Sequence, residues 1–403
     1  MNVIVMKFGG TSVANIKKIQ NVAGIVKQNL HKDNKLVVVL SAMAGVTNEL
    51  QKYLDDINSD NDIENDLVLT SGENVTIGIL SAILKQMNIN SIPLLGWQIP
   101  IITDENHKKA KILNISKKRI YSFLKKYDVI VLAGFQGVNK SGNITSLGRG
   151  GSDTTAVAIA SAINAKRCDI YTDVEGVYSA DPNIVSKAKK IPKLAYEEML
   201  EMSSSGAKVL HTRSVELAMK NNLVLQVISS LTKKEGTFIL DEKQLIEKEI
   251  VSGVSYSKSD SKITISGIAD RPGISASIFG LLAKNNINVD MIVQNISQDG
   301  VSANITFTVP NSELKFTKSI LEKNQKIINY TAIKTDDKVS KISVIGMGMM
   351  SQAGVAQKMF KTLADKKINI LAISTSEIKL SVIVDETHIL NAVKRLHTVF
   401  DLD

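Results

Sequence analysis

Two stretches in the last third of the chain carry the same pattern. Lys262-Ile263-Thr264-Ile265-Ser266-Gly267 returns as Lys341-Ile342-Ser343-Val344-Ile345-Gly346, and Gly273, Phe279, Leu282, Ala283 and Asn288 return as Gly354, Phe360, Leu363, Ala364 and Asn369 in the same spacing. Coincidence between two generic units rarely keeps five matches in step, so the pattern marks an internal duplication. Each copy reads strand, helix, strand, strand, helix, strand, a compact α+β unit whose helices cover one face of a sheet. The copies are expected over residues 262–335 and 336–403.

A chain of 403 residues leaves room for a larger unit in front. Up to about residue 240, short β-branched runs alternate with amphipathic stretches: Asn2 to Met6, Leu36 to Leu40, Ser91 to Leu95, Val129 to Ala133 and Cys168 to Thr172. Such alternation predicts a mainly parallel sheet sandwiched by helices. Gly137 to Leu147 breaks the pattern as a hairpin turning at Ser141-Gly142-Asn143. After the strand-like Thr237 to Leu240, a charged, helix-prone Glu242 to Glu249 marks a boundary. The division expected is a catalytic part at 1–241, a connector and strand at 242–261, then the two modules.

Composition narrows the function. The balance of 49 Lys+Arg against 40 Asp+Glu gives +9, which by itself allows nucleic acid as a partner. Aromatics are only 4%, however, and the lysines are interspersed with acids, leaving no stacking platform or basic stripe. A positive field equally suits small anionic ligands. Cys168 is the only cysteine, so neither an intramolecular disulfide nor a cysteine metal site is expected. No basic leader precedes the glycines at Gly9 and Gly10, and no stretch reads as the ~20 apolar residues of a membrane helix. A cytoplasmic protein is the expectation.

Two loops carry the chemistry. Lys7-Phe8-Gly9-Gly10-Thr11-Ser12 lies between a strand and a helix beginning near Asn15, where glycine lets backbone N–H groups approach phosphate and Lys7 adds a mobile charge. A βα turn that needs glycine for a strained dihedral would look the same. Leu147-Gly148-Arg149-Gly150-Gly151-Ser152-Asp153-Thr154 stands between the hairpin and an Ala-rich helix running to about Ala165. Ser152 or Asp153 could cap that helix. Capping leaves Arg149 unexplained, whereas an arginine fork beside free amides can clamp a carboxylate. Neither loop is a Walker motif or a protein-kinase glycine loop.

Together with Thr70-Ser71-Gly72-Glu73, Gly96-Trp97-Gln98, Ala133-Gly134-Phe135-Gln136-Gly137, Tyr171-Thr172-Asp173-Val174-Glu175-Gly176-Val177-Tyr178 and Gly206-Ala207-Lys208-Val209-Leu210-His211, these loops resemble the aspartate kinases of the amino-acid kinase superfamily over essentially the whole chain. The duplicated module resembles their paired ACT domains, through Asp270-Arg271-Pro272-Gly273 and Asn288-Val289-Asp290-Met291-Ile292-Val293-Gln294-Asn295. The resemblance implies transfer of the γ-phosphoryl group of ATP, with Mg²⁺ held through its phosphates, to the side-chain carboxylate of L-aspartate. It places Lys7, Phe8, Gly9, Gly10, Ser41 and Lys208 at the phosphates, and Thr172, Asp173, Val177 and Tyr178 in the nucleotide pocket. Asp153 would organise the two lysines. Thr47, Glu73, Arg149, Gly150, Gly151 and Ser152 would surround aspartate. An ionised carboxylate needs no general base, so the absence of a catalytic histidine is no objection.

The same resemblance implies a homodimer or higher homo-oligomer joined through the ACT modules and regulated by lysine, threonine or both. The effector would meet Asp270, Gly273, Ile274, Ser275, Asn288, Val289, Asp290 and Gln294, with Gly354, Val355, Asn369, Ile370 and Glu377 opposite. Asn183 and Ile228 stand where the family usually has arginine, and Thr212 where it has proline. Asn304 replaces a frequent aspartate. No dinucleotide-binding domain for a fused dehydrogenase is expected after the second module.

Overall fold

The computed structural model describes the chain apart from residues 1, 208, 233, 246–248 and 298–300, with backbone alone at 350 and 351. Contacts group the residues into two units, Met1–Val177 with Lys190–Ser203 and Lys208–Ile246, and Tyr178–Lys189 with Ser204–Ala207 and Glu247–Asp403.

In the first unit the strands in chain order are β1 (Asn2–Phe8), β2 (Asn34–Leu40), β3 (Ser91–Leu94), β4 (Ile101–Thr103), β5 (Ile112–Ile115), β6 (Val129–Ala133), β7 (Gln136–Val138), β8 (Ile144–Ser146), β9 (Arg167–Thr172), β10 (Lys193–Ala195), β11 (Leu225–Ser229) and β12 (Thr237–Leu240). The helices are α1 (Ile16–Asn29), α2 (Val46–Asp56), α3 (Asp62–Leu69), α4 (Ser71–Gln86), α5 (Lys117–Leu124), α6 (Gly151–Ala162), α7 (Tyr196–Ser204) and α8 (Thr212–Lys220). The main sheet runs β10-β12-β11-β9-β1-β2-β6-β3, parallel throughout except where β11 meets β12. Residues 3–6, 36–40 and 129–133 of its central strands are continuous apolar runs because both faces are covered. Ile19, Val22, Ala23 and Val26 of α1 and Ile77, Leu80 and Leu84 of α4 pack on one face, and α6 crosses β1, β2 and β9. The expected hairpin is β7–β8, turning through Gly142 at φ +85°. It belongs to a small sheet, β5-β4-β7-β8.

One expectation about membranes needs correcting. Asp62–Gln86, which is α3 and α4 end to end, is long and apolar enough to cross a bilayer by length and composition, with half of its most apolar window buried. It breaks at Thr70 and turns Asp66 and Glu73 inward, as a core helix of a folded unit does.

The second unit holds β13 (Gly253–Ser257), β14 (Asp260–Ala269), α9 (Ile274–Lys284), β15 (Asp290–Ile296), β16 (Ser302–Pro310), α10 (Leu314–Lys323), α11 (Gln325–Ile328), β17 (Ala332–Asp336), β18 (Val339–Ile345), α12 (Val355–Asp365), β19 (Ala372–Thr375), β20 (Lys379–Asp385) and α13 (Ile389–Val399). The first module is complete, with sheet order β15-β16-β14-β17. The second, β13-β18-β20-β19, departs from the reading of six elements within 336–403. β13, from the expected connector, fills beside β18 the place that β17 holds beside β14 in the first module. The two modules meet where Met291 packs against Val339, Ile383 and Ala372, and where buried Lys341 pairs with Asp290 and lies 4.0 Å from Asp260. The charged stretch after Thr237–Leu240 forms a 3-10 turn at Glu242–Gln244, and residues 246–248 of it lie outside the described residues.

Asp169, buried on β9, accepts from Arg167 Nε at 2.8 Å, while its other oxygen has no partner. Burial pushes its carboxyl above the usual carboxylate range against the pull of Arg167. A carboxyl raised in the folded state supports folding most below its unfolded pKa, and that support is lost as pH rises through the folded value. Asp169→Asn should therefore gain melting temperature relative to the parent as pH rises upward from the usual carboxylate range. A difference that stays flat or falls would mean that Arg167 outweighs burial.

Candidate active site

The C-terminal ends of β1, β2, β6 and β9 lie side by side, where parallel α/β sheets bind ligands. Backbone bonds stitch the loops leaving them: Ser41 N–H donates to Phe8 O at 3.2 Å, Gly134 N–H to Leu40 O at 2.9 Å and Gly9 N–H to Tyr171 O at 3.4 Å. Phe8 stacks on Tyr171 with ring centroids 4.4 Å apart.

Neither Gly9 nor Gly10 has a positive φ, so backbone strain does not explain them. Close approach accounts for Gly10, whose Cβ would lie 3.0 Å from Ala42 O, but not for Gly9, where a Cβ would meet only ordinary contacts at 3.5 Å and beyond. A 3-10 turn, Gly10–Val13, separates the glycines from α1, and Asn15 Oδ1 accepts from Lys18 N–H. Asn15 thus takes up one of the first amides of α1. At the same edge of the sheet α6 starts without a side-chain cap, its N-cap being Gly150 at φ +68°.

Around that terminus the expected residues converge. Lys7 Nζ lies 2.5 Å from Asp153 Oδ1, both side chains about one-tenth exposed. The hydroxyls of Ser41 and Ser152 are 2.9 Å apart. Neither Ser152 nor Asp153 caps α6; both turn across to the β1 and β2 loops. Gly134 permits this, because its Cβ would fall 2.7 Å from Ser152 Cβ. Gly150 lies against the His211 ring and Gly151 against Phe135, and neither has room for a side chain, as a Cβ would stand 2.1 Å and 2.7 Å away.

Glu73, in the first turn of α4, accepts from Ala42 N–H at 3.0 Å through Oε1, while buried Oε2 has no partner. Burial raises this carboxyl to about 7, against the backbone N–H groups of Ala42 and Glu73 itself. Thr76 donates to Ser41 O at 2.9 Å, tying α4 to the β2 loop. Thr47 is half-buried in the first turn of α2, and Arg149 is exposed. Thr172 ends β9 and donates to exposed Asp173 at 3.1 Å. Val177 is buried, its N–H held by Thr237 Oγ1 at 2.8 Å. Tyr178 falls in the second unit. Lys208 lies outside the described residues.

Three positioning groups went unread in the sequence. Gln136 donates to Thr70 O and accepts from Gly96 N–H, joining three of the motifs. Arg213 grips Leu147 O at 2.9 Å and Ala110 O at 2.8 Å, just before the Gly148 turn. Asp66, fully buried, holds His107, Lys108 N–H and Ser146. Where the family has arginine, Ile228 packs on the core and Asn183 closes a turn on Asp181.

In the second unit, Gly273 at φ +92° and Gly354 at φ +100° open α9 and α12 as left-handed N-caps, with Ile274 and Val355 the first helical residues. Ser275 donates to Gln294 at 3.0 Å. Asp290 is engaged by Lys341: burial raises its carboxyl, but the Lys341 ammonium prevails and holds it below the usual range. Asp270, Asn288, Asn369 and Glu377 are exposed, and Val289 and Ile370 half-buried. A cavity of about 480 Å³ beside Gly354 and Val355 is bordered by Ile250, Lys358, Lys361 and Phe400. Its lining does not include Asn369, Ile370 or Glu377.

A lysine shared with a carboxylate beside uncapped helix amides suits the handling of phosphate, and it marks a phosphotransferase built on a parallel α/β sheet. The model of the amino acid kinase family matches residues 2–229, and that of the ACT domain matches 258–325 and 342–400. An aspartate kinase of Pseudomonas putida is 46% identical over 406 residues, covering 100% of this chain and 98% of its own. The crystal structure of E. coli aspartokinase III in complex with lysine and aspartate (T-state) matches with a TM-score of 0.76 at 26% identity, over 98% of this chain and 99% of that one. The same enzyme in complex with aspartate and ADP (R-state) gives 0.84 at 24% identity over 99% of both, a likeness of fold. The chain belongs to the amino acid kinase family, as an aspartokinase with ACT domains after its kinase part.

Arg213→Ala would strip two backbone carbonyls of a charged donor. A loss of about 2–4 kcal/mol in urea unfolding is expected, and Arg213→Lys, which lacks the fork, should recover less than half of it. A loss under about 1 kcal/mol would show the carbonyls finding water instead.

Proposed function

We propose that the chain phosphorylates L-aspartate on its β-carboxylate, giving 4-phospho-L-aspartate and ADP from ATP. The observation that carries this reading is Glu73 Oε2, a buried carboxylate oxygen with no partner, which suits the α-ammonium of an amino acid. Arg149 forks onto the α-carboxylate, with Thr47 and the Gly150, Gly151 and Ser152 amides nearby, leaving the β-carboxylate free. One of its oxygens attacks the γ-phosphorus as the bond to the β–γ bridging oxygen breaks, and the electron pair leaves with ADP.

Lys7, Lys208, Ser41 and the Gly9–Gly10 turn neutralise the migrating group, and Asp153 orients Lys7. Thr172, Asp173, Val177 and Tyr178 receive the nucleoside. Among the described residues there is no group of three or more His, Cys, Asp or Glu that could hold a metal. Mg²⁺ bound through ATP phosphates and water fits that donor set and screens phosphate charge.

The product feeds synthesis of lysine, threonine, methionine and diaminopimelate in the cytoplasm, with lysine, threonine or both as feedback effectors at the ACT modules. Exposed Asp270 and Glu377 are the carboxylates open to an effector's ammonium, and the starts of α9 and α12 suit its carboxylate. Pairing of two chains through these modules is supported by Ile292 and Ile296 on edge strand β15 and Ile373 on β19, all exposed. ATP-dependent hydroxamate formation with aspartate, glutamate and uridine monophosphate offered separately, with and without lysine and threonine, tests the reading. Turnover of glutamate but not aspartate would overturn it.

Lys7→Ala should lower kcat about 100-fold or more with KM for aspartate within about two-fold. Turnover at the parent rate would remove Lys7 from the reaction. Because Glu73 ionises at about 7, it meets the substrate ammonium as an anion only above that pH. kcat/KM for aspartate should therefore rise through about 7, and the rise should vanish in Glu73→Gln. A rise that survives the substitution belongs to another group.

A further inference from the structure

Asp66 lies in the middle of α3 with its side chain fully buried, and its partners come from two segments well down the chain. Oδ2 accepts from His107 Nδ1 at 2.7 Å and from Ser146 N–H at 2.9 Å, Oδ1 accepts from the Ser146 hydroxyl, and Lys108 N–H lies 3.2 Å from both oxygens. An ionised carboxylate only accepts, which puts a proton on His107 Nδ1. Two of the donors are backbone N–H groups, so an amide at 66 would turn its own NH₂ toward groups that cannot accept.

The two gripped segments are the two sides of the Arg149 loop. Ser146 ends β8 and leads through Leu147, whose carbonyl Arg213 holds at 2.9 Å, into the left-handed Gly148 at φ +75°. Lys108 is also left-handed, at φ +63°, a conformation that residues with a side chain seldom take. Its carbonyl stands against Gly148, where a Cβ would lie 2.8 Å away. Asp66 therefore fixes both the strand that enters the loop and the wall on which the loop turns. Arg149 follows at once and is exposed, so the backbone on which it stands is what aims it.

The same pair of helices carries Glu73. α3 passes through Thr70 into α4, and the junction is held by Gln136, which donates to Thr70 O at 3.2 Å. Glu73 comes seven residues after Asp66, roughly two turns or ~10 Å along a helix. We propose that Asp66 is a positioning residue for aspartate: it sets the direction of Arg149 through Ser146 and Lys108, and the α3–α4 pair thereby fixes the spacing between the subsites for the α-carboxylate and the α-ammonium. This rests on the roles given above to Arg149 and Glu73. Every residue in the path from Glu73 to Arg149 belongs to the first unit. A buried polar group whose bonds are all satisfied specifies one geometry, which an apolar side chain of the same size would not.

The test uses the full chain with Asp66→Asn, Ser146→Ala, His107→Ala and His107→Asn, and with Ser146→Ala made again on Arg149→Ala. KM for aspartate should rise about 3- to 10-fold in Ser146→Ala and in His107→Ala, the cost of one hydrogen bond, and by more than about 10-fold in Asp66→Asn, while KM for ATP stays within about two-fold. His107→Asn, which keeps an N–H near the place of Nδ1, should lie nearer the parent than His107→Ala. On Arg149→Ala, Ser146→Ala should raise KM for aspartate less than about two-fold further, although it lowers the melting temperature as much as in the parent, because both changes break one path. Ser146→Ala and His107→Ala keep the carboxylate and decide the case even if Asp66→Asn does not fold. An unchanged KM for aspartate in both, whatever the melting temperature does, overturns the proposal, and so does an equal rise from Ser146→Ala with and without Arg149. A parent KM for aspartate in Arg149→Ala would overturn the carboxylate-clamp reading instead.

Discussion

The Lys7–Asp153 ion pair holds the site together. It joins the end of β1 to the first turn of α6, two elements 146 positions apart in the chain by their residue numbers. Parting such a pair by removing one member leaves a nearly buried charge, at a cost of about 3–5 kcal/mol. The other links depend on its closure. Ser41 reaches Ser152 only with α6 drawn against the β2 loop, and Gly134 must lack a side chain for the same reason. The pair also sets the local charge: Lys7 is neutralised by Asp153, so an anion binding there would have to share the ammonium.

The strands were legible because burial on both faces demands continuous β-branched runs, as in Val37, Val38 and Val39. The start of α1 was legible because Asn15 is a local signal, bonding three residues ahead. What stayed hidden depends on atoms distant in sequence. Gly10 looks like a turn glycine until Ala42 O is found beside it. Gln136 and Arg213 act on backbone carbonyls and amides, which every residue carries, so no pattern announces their partners. Nothing in the sequence sets Asp66 apart from the other acids of α3, and only its contacts with His107 and Ser146 distinguish it.

The duplicated module shows the same limit at a larger scale. Five spaced matches revealed two copies, but strand pairing is a choice of partner, and partner choice leaves little trace in a strand of five residues. An open edge on β18 has to be paired or covered, and β13 is the strand within reach of it. The first module is consequently inserted between β13 and the rest of the second. A cut at the 335/336 boundary expected from sequence would leave β18 without that neighbour.

The core of the second module also draws on residues from well upstream in the chain. Ala180 and Val185, from a hairpin that leaves the first unit at Val177 and returns at Lys190, pack with Val251, Val254 and Leu396. Residues from the expected catalytic stretch are thus structural members of the regulatory module. A module completed by borrowed segments cannot repack without moving the chain that lends them, since buried side chains are close-packed and covalent links have fixed length. A ligand that favoured one packing of this core would shift it by no more than its difference in affinity between the packings.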